Sequence, residues 1–172
     1  LMEQISMVFQ NVYLFADTIE NNIKFGSPDA THEQVVAAAK KACCHDFISA
    51  LPDGYGKVIG EGGATLSGGE KQRLSIARAM LKNAPIDIVE EATANGGPEN
   101  EDKLQKAMEE LMRDKTILMI AHRLKTVQKA DQILVLDEGR IVQKGTHEEL
   151  KDTPGIYRDF LEVRKEAAGW KL

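Results

Sequence analysis

Leu66-Ser67-Gly68-Gly69-Glu70-Lys71-Gln72-Arg73 sets a hydroxyl and two glycines directly before apolar residues at helical spacing, Leu74, Ile76, Ala77, Met80 and Leu81. That order commits the segment to a loop that opens straight into a helix. Glycines let the backbone approach a ligand closely, and the unpaired amides of a helix N-terminus attract anions. The expected guest is phosphate.

Around this string the chain alternates. Ile5 to Phe9 reads as a short buried strand. Thr18 to Phe25 reads as one or two helical turns, and Thr31 with Gln34 forms a capping box for a helix running to about Cys44. Asp46 to Leu51 is a further helical stretch, stopped by Pro52-Asp53-Gly54, and the signature helix ends near Asn83-Ala84-Pro85. Strands at Ile86–Val89, Thr116–Ile120 and Ile133–Leu136 then interleave with helices at Pro98–Met112 and Leu124–Lys129. A hairpin into Ile141–Gln143 and two last helices, Thr146–Lys151 and Gly155–Ala168, finish the pattern. Strand–helix alternation predicts a parallel sheet, and residues 15–80 break it as a helical insert.

Composition limits the partners. The 172 residues carry 22 basic and 27 acidic side chains, a net charge of −5, with no basic block. A general nucleic-acid binder is excluded on that balance. No apolar stretch approaches the ~20 residues that span a bilayer. Cys43 and Cys44 are adjacent, with no metal-ligand spacing around them, and read as reduced packing residues of a cytosolic protein. His32, His45 and His147 read as surface residues. The chain begins at Leu1 without a targeting pattern and is expected to be cut from something longer.

Four further segments accompany the Leu66–Arg73 string in a fixed order. Gln10 ends the first strand within Val8-Phe9-Gln10-Asn11-Val12-Tyr13-Leu14-Phe15; alone, such a Gln is usually a solvated cap. Gly60-Glu61-Gly62-Gly63 precedes the signature and alone would be a flexible turn. Pro85-Ile86-Asp87-Ile88-Val89-Glu90-Glu91 closes a strand on an acidic pair, at the strand end where parallel sheets bind ligands. His122 follows a strand in Ile120-Ala121-His122-Arg123. Together these resemble the nucleotide-binding domains of ATP-binding cassette (ABC) ATPases, closest to the exporter type, over nearly the whole chain. The ATPase heads of chromosome-maintenance and break-repair proteins share the signature. Theirs is preceded by a long coiled coil, where this chain has only a compact insert.

The resemblance implies an α/β fold: an incomplete P-loop NTPase, ABC-ATPase-like, whose parallel-sheet core carries an inserted α-helical subdomain. Residues 1–14 and 81–172 would form the partial RecA-like core, and 15–80 the helical subdomain ending in the signature. It also implies ATP and Mg2+ as ligands. Gln10 and Glu90 would face the metal, and Ser67, Gly68, Gly69 and Glu70 would bind nucleotide. Glu91 would act as general base on the attacking water, with His122 and Gln10 completing the catalytic set. The implied partners are the transmembrane domain of an exporter, reached through the Gln10 loop and Gly60–Gly63, and a second nucleotide-binding domain in a head-to-tail dimer. The place would be cytoplasmic, at the inner face of the membrane.

Several departures stand against that pattern. No Gly-x-x-x-x-Gly-Lys-Ser/Thr occurs anywhere; Gly54-Tyr55-Gly56-Lys57-Val58 lacks its spacing and hydroxyl. Without that amide nest, lysine and hydroxyl, the isolated chain is expected not to hold ATP in the family's manner. Glu90 stands where the family has Asp, Asp87 where it has an apolar residue, and Asn95-Gly96-Gly97 replaces the end of the D-loop. The strand that should lie between Thr116–Ile120 and Ile133–Leu136 is missing, so those strands either close up or expose edges open to self-association. Three functions follow: an exporter's ATPase subunit, a non-hydrolytic partner offering its signature loop to an intact protomer, or an inactive remnant.

Overall fold

The computed structural model describes residues 2–91, 98–121 and 124–169. It forms two compact units, Leu1–Ile120 and Ala121–Leu172. The first holds β1 (Ile5–Val8), β2 (Asp17–Thr18), α1 (Ile19–Lys24), α2 (His32–Lys41), α3 (His45–Ser49) and β3 (Val58–Ile59). It continues through α4 (Gly68–Lys82), β4 (Ile86–Glu90), α5 (Pro98–Met112) and β5 (Thr116–Ile120).

Its main sheet is three-stranded and parallel in the order β1-β4-β5. Ile5 to Val8 run beside Ile86 to Val89, and Ile86 to Glu90 beside Thr116 to Ile120. Among the described residues of this unit, β4 is the central strand, with β1 and β5 on either side of it. One sheet face buries Ser6, Val8, Asp87 and Val89, while Met7, Leu118 and Ile120 of the other stay exposed.

The covered face joins a single core. Val8 and Val89 meet Leu74, Ile76 and Ala77 of α4 and Leu104, Ala107 and Leu111 of α5. Burying each large aliphatic side chain contributes about 1.5–3 kcal/mol, so α4 is held mainly by what it covers. The same core continues through Leu14 into residues 15–80 at Ile19, Ile23, Val35, Ile48 and Ile59. The insert is therefore packed around α4 rather than hung from the sheet. Gly26 makes that approach close, because a Cβ there would lie 2.3 Å from the Arg78 carbonyl oxygen on α4.

Local sequence signals set the helix starts. Thr31 and Gln34 form the expected reciprocal box at α2. Thr18 caps α1 by accepting from the Asn21 amide. The short antiparallel pairing of β2 with β3 has no counterpart in the sequence pattern, since two-residue strands show no alternation to read.

The second unit contains α6 (Leu124–Val127), β6 (Ile133–Asp137), β7 (Arg140–Gly145), α7 (His147–Leu150) and α8 (Ile156–Gly169). β6 and β7 form the expected antiparallel hairpin. Glu138 and Gly139 take positive φ at its turn. Ile133, Leu150, Tyr157 and Leu161 make its small core.

Candidate functional site

The first turn of α4 is built by the residues that flagged it. Ser67 is the N-cap in extended backbone, its Oγ accepting from the Glu70 amide at 3.3 Å. The Glu70 carboxylate returns to accept from the Ser67 amide at 2.7 Å. Glu70 is thus a capping residue whose carboxylate is already engaged, and the Ser67 hydroxyl keeps its proton for an outside acceptor. The amides of Gly68 and Gly69 have no carbonyl one turn earlier to bind. Nothing lies within 4 Å of where a Gly68 Cβ would stand, so the approach to this tip is open.

Gly69 plays a different part. Its Cβ would meet Arg73 Nη1 at 3.5 Å and Asn100 at 3.7 Å, so it admits α5 against α4. Arg73 is buried; its Nη1 donates to Asn100 Oδ1 at 3.3 Å and its guanidinium lies 5.6 Å from the Phe47 ring centre. Ser67 and Gly68 of the string therefore face solvent, while Gly69, Gln72 and Arg73 are buried.

The acidic residues and Gln10 gather elsewhere, at the C-terminal ends of adjacent parallel strands. The Gln10 amide donates to Glu90 Oε2 at 3.2 Å. On the other flank of β4, the Glu91 amide donates to the Ile120 carbonyl at 3.0 Å. Both acids are half-buried, and the end of β4 is pinned from each side. His122, Ala92–Ala94 and Asn95-Gly96-Gly97 lie outside the described residues.

A cavity of ≈ 430 Å³ lined by Gln10, Asn11, Val12, Tyr13, Gly68, Lys71 and Gln72 joins the Gln10 loop to the first turns of α4. The loop itself is held by Asn22, which is buried. Asn22 Oδ1 accepts from the Phe15 amide at 2.9 Å, and its Nδ2 donates to the Thr18 carbonyl at 3.0 Å. Arg78 of α4 adds bonds to the Asn22 carbonyl at 2.9 Å and the Tyr13 carbonyl at 3.4 Å. Its guanidinium also lies over Phe15 and Phe25, and burial pushes its pKa below the ordinary value. The result is a firmly seated loop that displays an aromatic patch: Tyr13, Phe15 and Phe25 are 56%, 37% and 62% exposed.

Asp87 is 0% exposed, and Lys115, just before β5, places Nζ 3.2 Å from its Oδ2. Sequence reasoning flags the buried carboxylate and misses its partner. The available signal was that an acid inside a central strand demands a nearby cation, and Lys115 adjoins Thr116, the register partner of Ile86. Of the histidines read as surface residues, His32 is exposed and bonded to Glu20 at 2.7 Å. His45 and His147 are half-buried, each with Nδ1 2.8 Å from a tyrosine hydroxyl, Tyr55 and Tyr157.

No three His, Cys, Asp or Glu side chains among the described residues cluster into a metal cage. Glu90 offers a carboxylate at the strand end, and its contact with Gln10 is to the backbone N–H, a donor that holds no cation. A single carboxylate of this kind fits Mg2+, which keeps its waters and takes one or two carboxylates beside substrate phosphates. The α4 tip fits a phosphate.

A family model described as ABC transporter matches residues 1–94, more than half of the chain. Among curated proteins, the ATP-dependent lipid A-core flippase of Legionella pneumophila (strain Paris) is 50% identical over 165 residues, covering 96% of this chain and 28% of the flippase. The flippase of the same description from Syntrophus aciditrophicus (strain SB) is 52% identical over 157 residues, covering 91% of this chain and 26% of its own length. Among solved structures, a bacterial Atm1-family ABC exporter with ATP bound superposes with a TM-score of 0.82 at 41% identity. That match covers 94% of this chain and 28% of the exporter. The chain thus spans about 28% of the length of such relatives.

Proposed function

The chain belongs to the ABC transporter family, with the α/β P-loop NTPase fold of an exporter ATPase domain, and from that premise we propose that it is the ATP-binding component of an exporter. The observation that carries the proposal is the open tip of α4, where Ser67 and Gly68 present a hydroxyl and a helix-terminal amide toward solvent.

In this reading Ser67, Gly68 and Gly69 cap the phosphates of ATP, with Glu70 holding the loop in shape. Glu90 and Gln10 face Mg2+, which when bound neutralises phosphate charge. Glu91 takes the proton of the attacking water, and His122 and Gln10 orient the reacting groups. Residues 1–14 and 81–172 serve as the core and 15–80 as the helical subdomain. The partners are a second nucleotide-binding domain, arranged head to tail, and an exporter's transmembrane domain. The exposed Tyr13–Phe15–Phe25 patch with Gly60–Gly63 is the surface offered to the latter, and in this reading the domain works at the cytoplasmic face of the membrane. None of the described helices is long and apolar enough to cross a membrane itself. The strand edge expected beside Thr116–Ile120 is a second route to self-association. The flippases and the Atm1-family exporter differ in description, so no cargo is assigned.

A specific observation favours a second form of this proposal. The chain has no Gly-x-x-x-x-Gly-Lys-Ser/Thr and carries Glu at position 90. On that ground the chain alone does not hold ATP, and its signature tip acts in trans on nucleotide gripped by an intact protomer.

Titrating a fluorescent ATP analogue into the purified chain, with and without an intact nucleotide-binding domain, tests both forms. Binding by the chain alone supports a complete site. Binding that tightens only with the partner, and is abolished by Ser67→Arg, supports action in trans. No response in either mixture overturns the proposal and leaves an inactive remnant.

A further inference from the structure

Strand β1 ends at Val8, so the Gln10 amide lies beyond the last position at which the β1–β4 ladder could engage it. A side chain takes over there: Glu90 Oε2 accepts that amide at 3.2 Å, continuing the pairing of β1 with β4 past its main-chain end. We propose that Glu90 is a positioning residue for the Gln10 loop, its carboxylate fixing where that loop leaves the sheet.

Three features support this. A charge-assisted bond to a backbone amide is stronger than a neutral one. The length of the glutamate side chain matches the gap it bridges. Aspartate would draw the carboxylate back by about 1.5 Å, one carbon–carbon bond, out of hydrogen-bonding range. The loop that starts here runs directly into Tyr13 and Phe15, which Asn22 and Arg78 hold at its far end. Glu90 at one end and Asn22 with Arg78 at the other thus hold both ends of the loop that carries Tyr13 and Phe15.

The test needs no nucleotide. Amide hydrogen exchange is measured by NMR for Gln10 and for Val89 in the native chain, Glu90→Asp and Glu90→Gln. Glu90→Asp is expected to speed Gln10 exchange ~10-fold or more, the scale of losing a charged hydrogen bond. Val89 should be unchanged, and Glu90→Gln, which keeps an acceptor oxygen at the same reach without the charge, should fall between the native chain and Glu90→Asp. Unchanged Gln10 exchange in Glu90→Asp, or equal acceleration in both variants, overturns the positioning role. Either result leaves the ATP-binding proposal to its own titration.

Discussion

Replacing Lys115 by methionine removes the cation that faces Asp87 while keeping most of the side chain's length and apolar stem. Asp87 is fully buried in the central strand, Lys115 is 13% exposed, and Nζ and Oδ2 are 3.2 Å apart. Neither carboxylate oxygen has an aligned hydrogen-bond donor among the described residues, so the close charge is what compensates it there. At an effective dielectric of about 20, two unit charges at that separation attract by roughly 5 kcal/mol. Breaking such a pair from one side strands the other charge and costs about 3–5 kcal/mol. Lys115→Met is therefore expected to destabilise the first unit by about that amount. The double variant Asp87→Leu/Lys115→Met removes the stranded charge as well and should return to within ~1 kcal/mol of the native chain, or exceed it. Urea unfolding followed by far-UV circular dichroism measures both, with the transition of residues 1–120 fitted separately from that of 121–172. The reasoning fails if Lys115→Met costs less than ~1 kcal/mol, or if the double variant is as unstable as the single one.

Two further outcomes follow from the packing of the first unit. Gly26→Ala would put a Cβ 2.3 Å from the Arg78 carbonyl oxygen, so α1 must move off α4. A loss of about 1–3 kcal/mol in the same unfolding assay is expected, and a change below ~0.5 kcal/mol would contradict the close approach. Cys44 is buried, and burial pushes its thiol up to about 12, while Cys43 beside it is half-buried. At pH 8 only about one Cys44 in ten thousand is a thiolate. Iodoacetamide should therefore modify Cys43 and spare Cys44 until urea unfolds the chain, and equal rates in the folded protein would show that Cys44 is accessible.

The helix starts were legible residue by residue. Thr31 with Gln34 forms the box its spacing announces, and Ser67 with Glu70 forms a second box that reading the string for phosphate passed over. The parallel strands fall where apolar runs alternate with helical periods, and the acidic pair and Gln10 arrive at neighbouring strand ends as the order of segments implied. The glycines of the signature divide in a way the string does not show. Gly68 stays open to solvent, and Gly69 is given up to the packing of α5 on α4. Glu70, which the resemblance made a nucleotide contact, commits its carboxylate to the helix cap.

What the sequence determined by itself is whatever depends on residues three or four positions apart: caps, periodicity, turns and the order of the functional segments. Only the tertiary structure decided that Glu90 would take the Gln10 amide from 80 positions away, that Arg78 would seat the loop through Asn22 from 56, and that Lys115 would answer Asp87. The physical reason is that a charge or an amide states its need for a partner locally. Which partner meets it depends on the strand order and on the side chains that packing brings within about 3 Å.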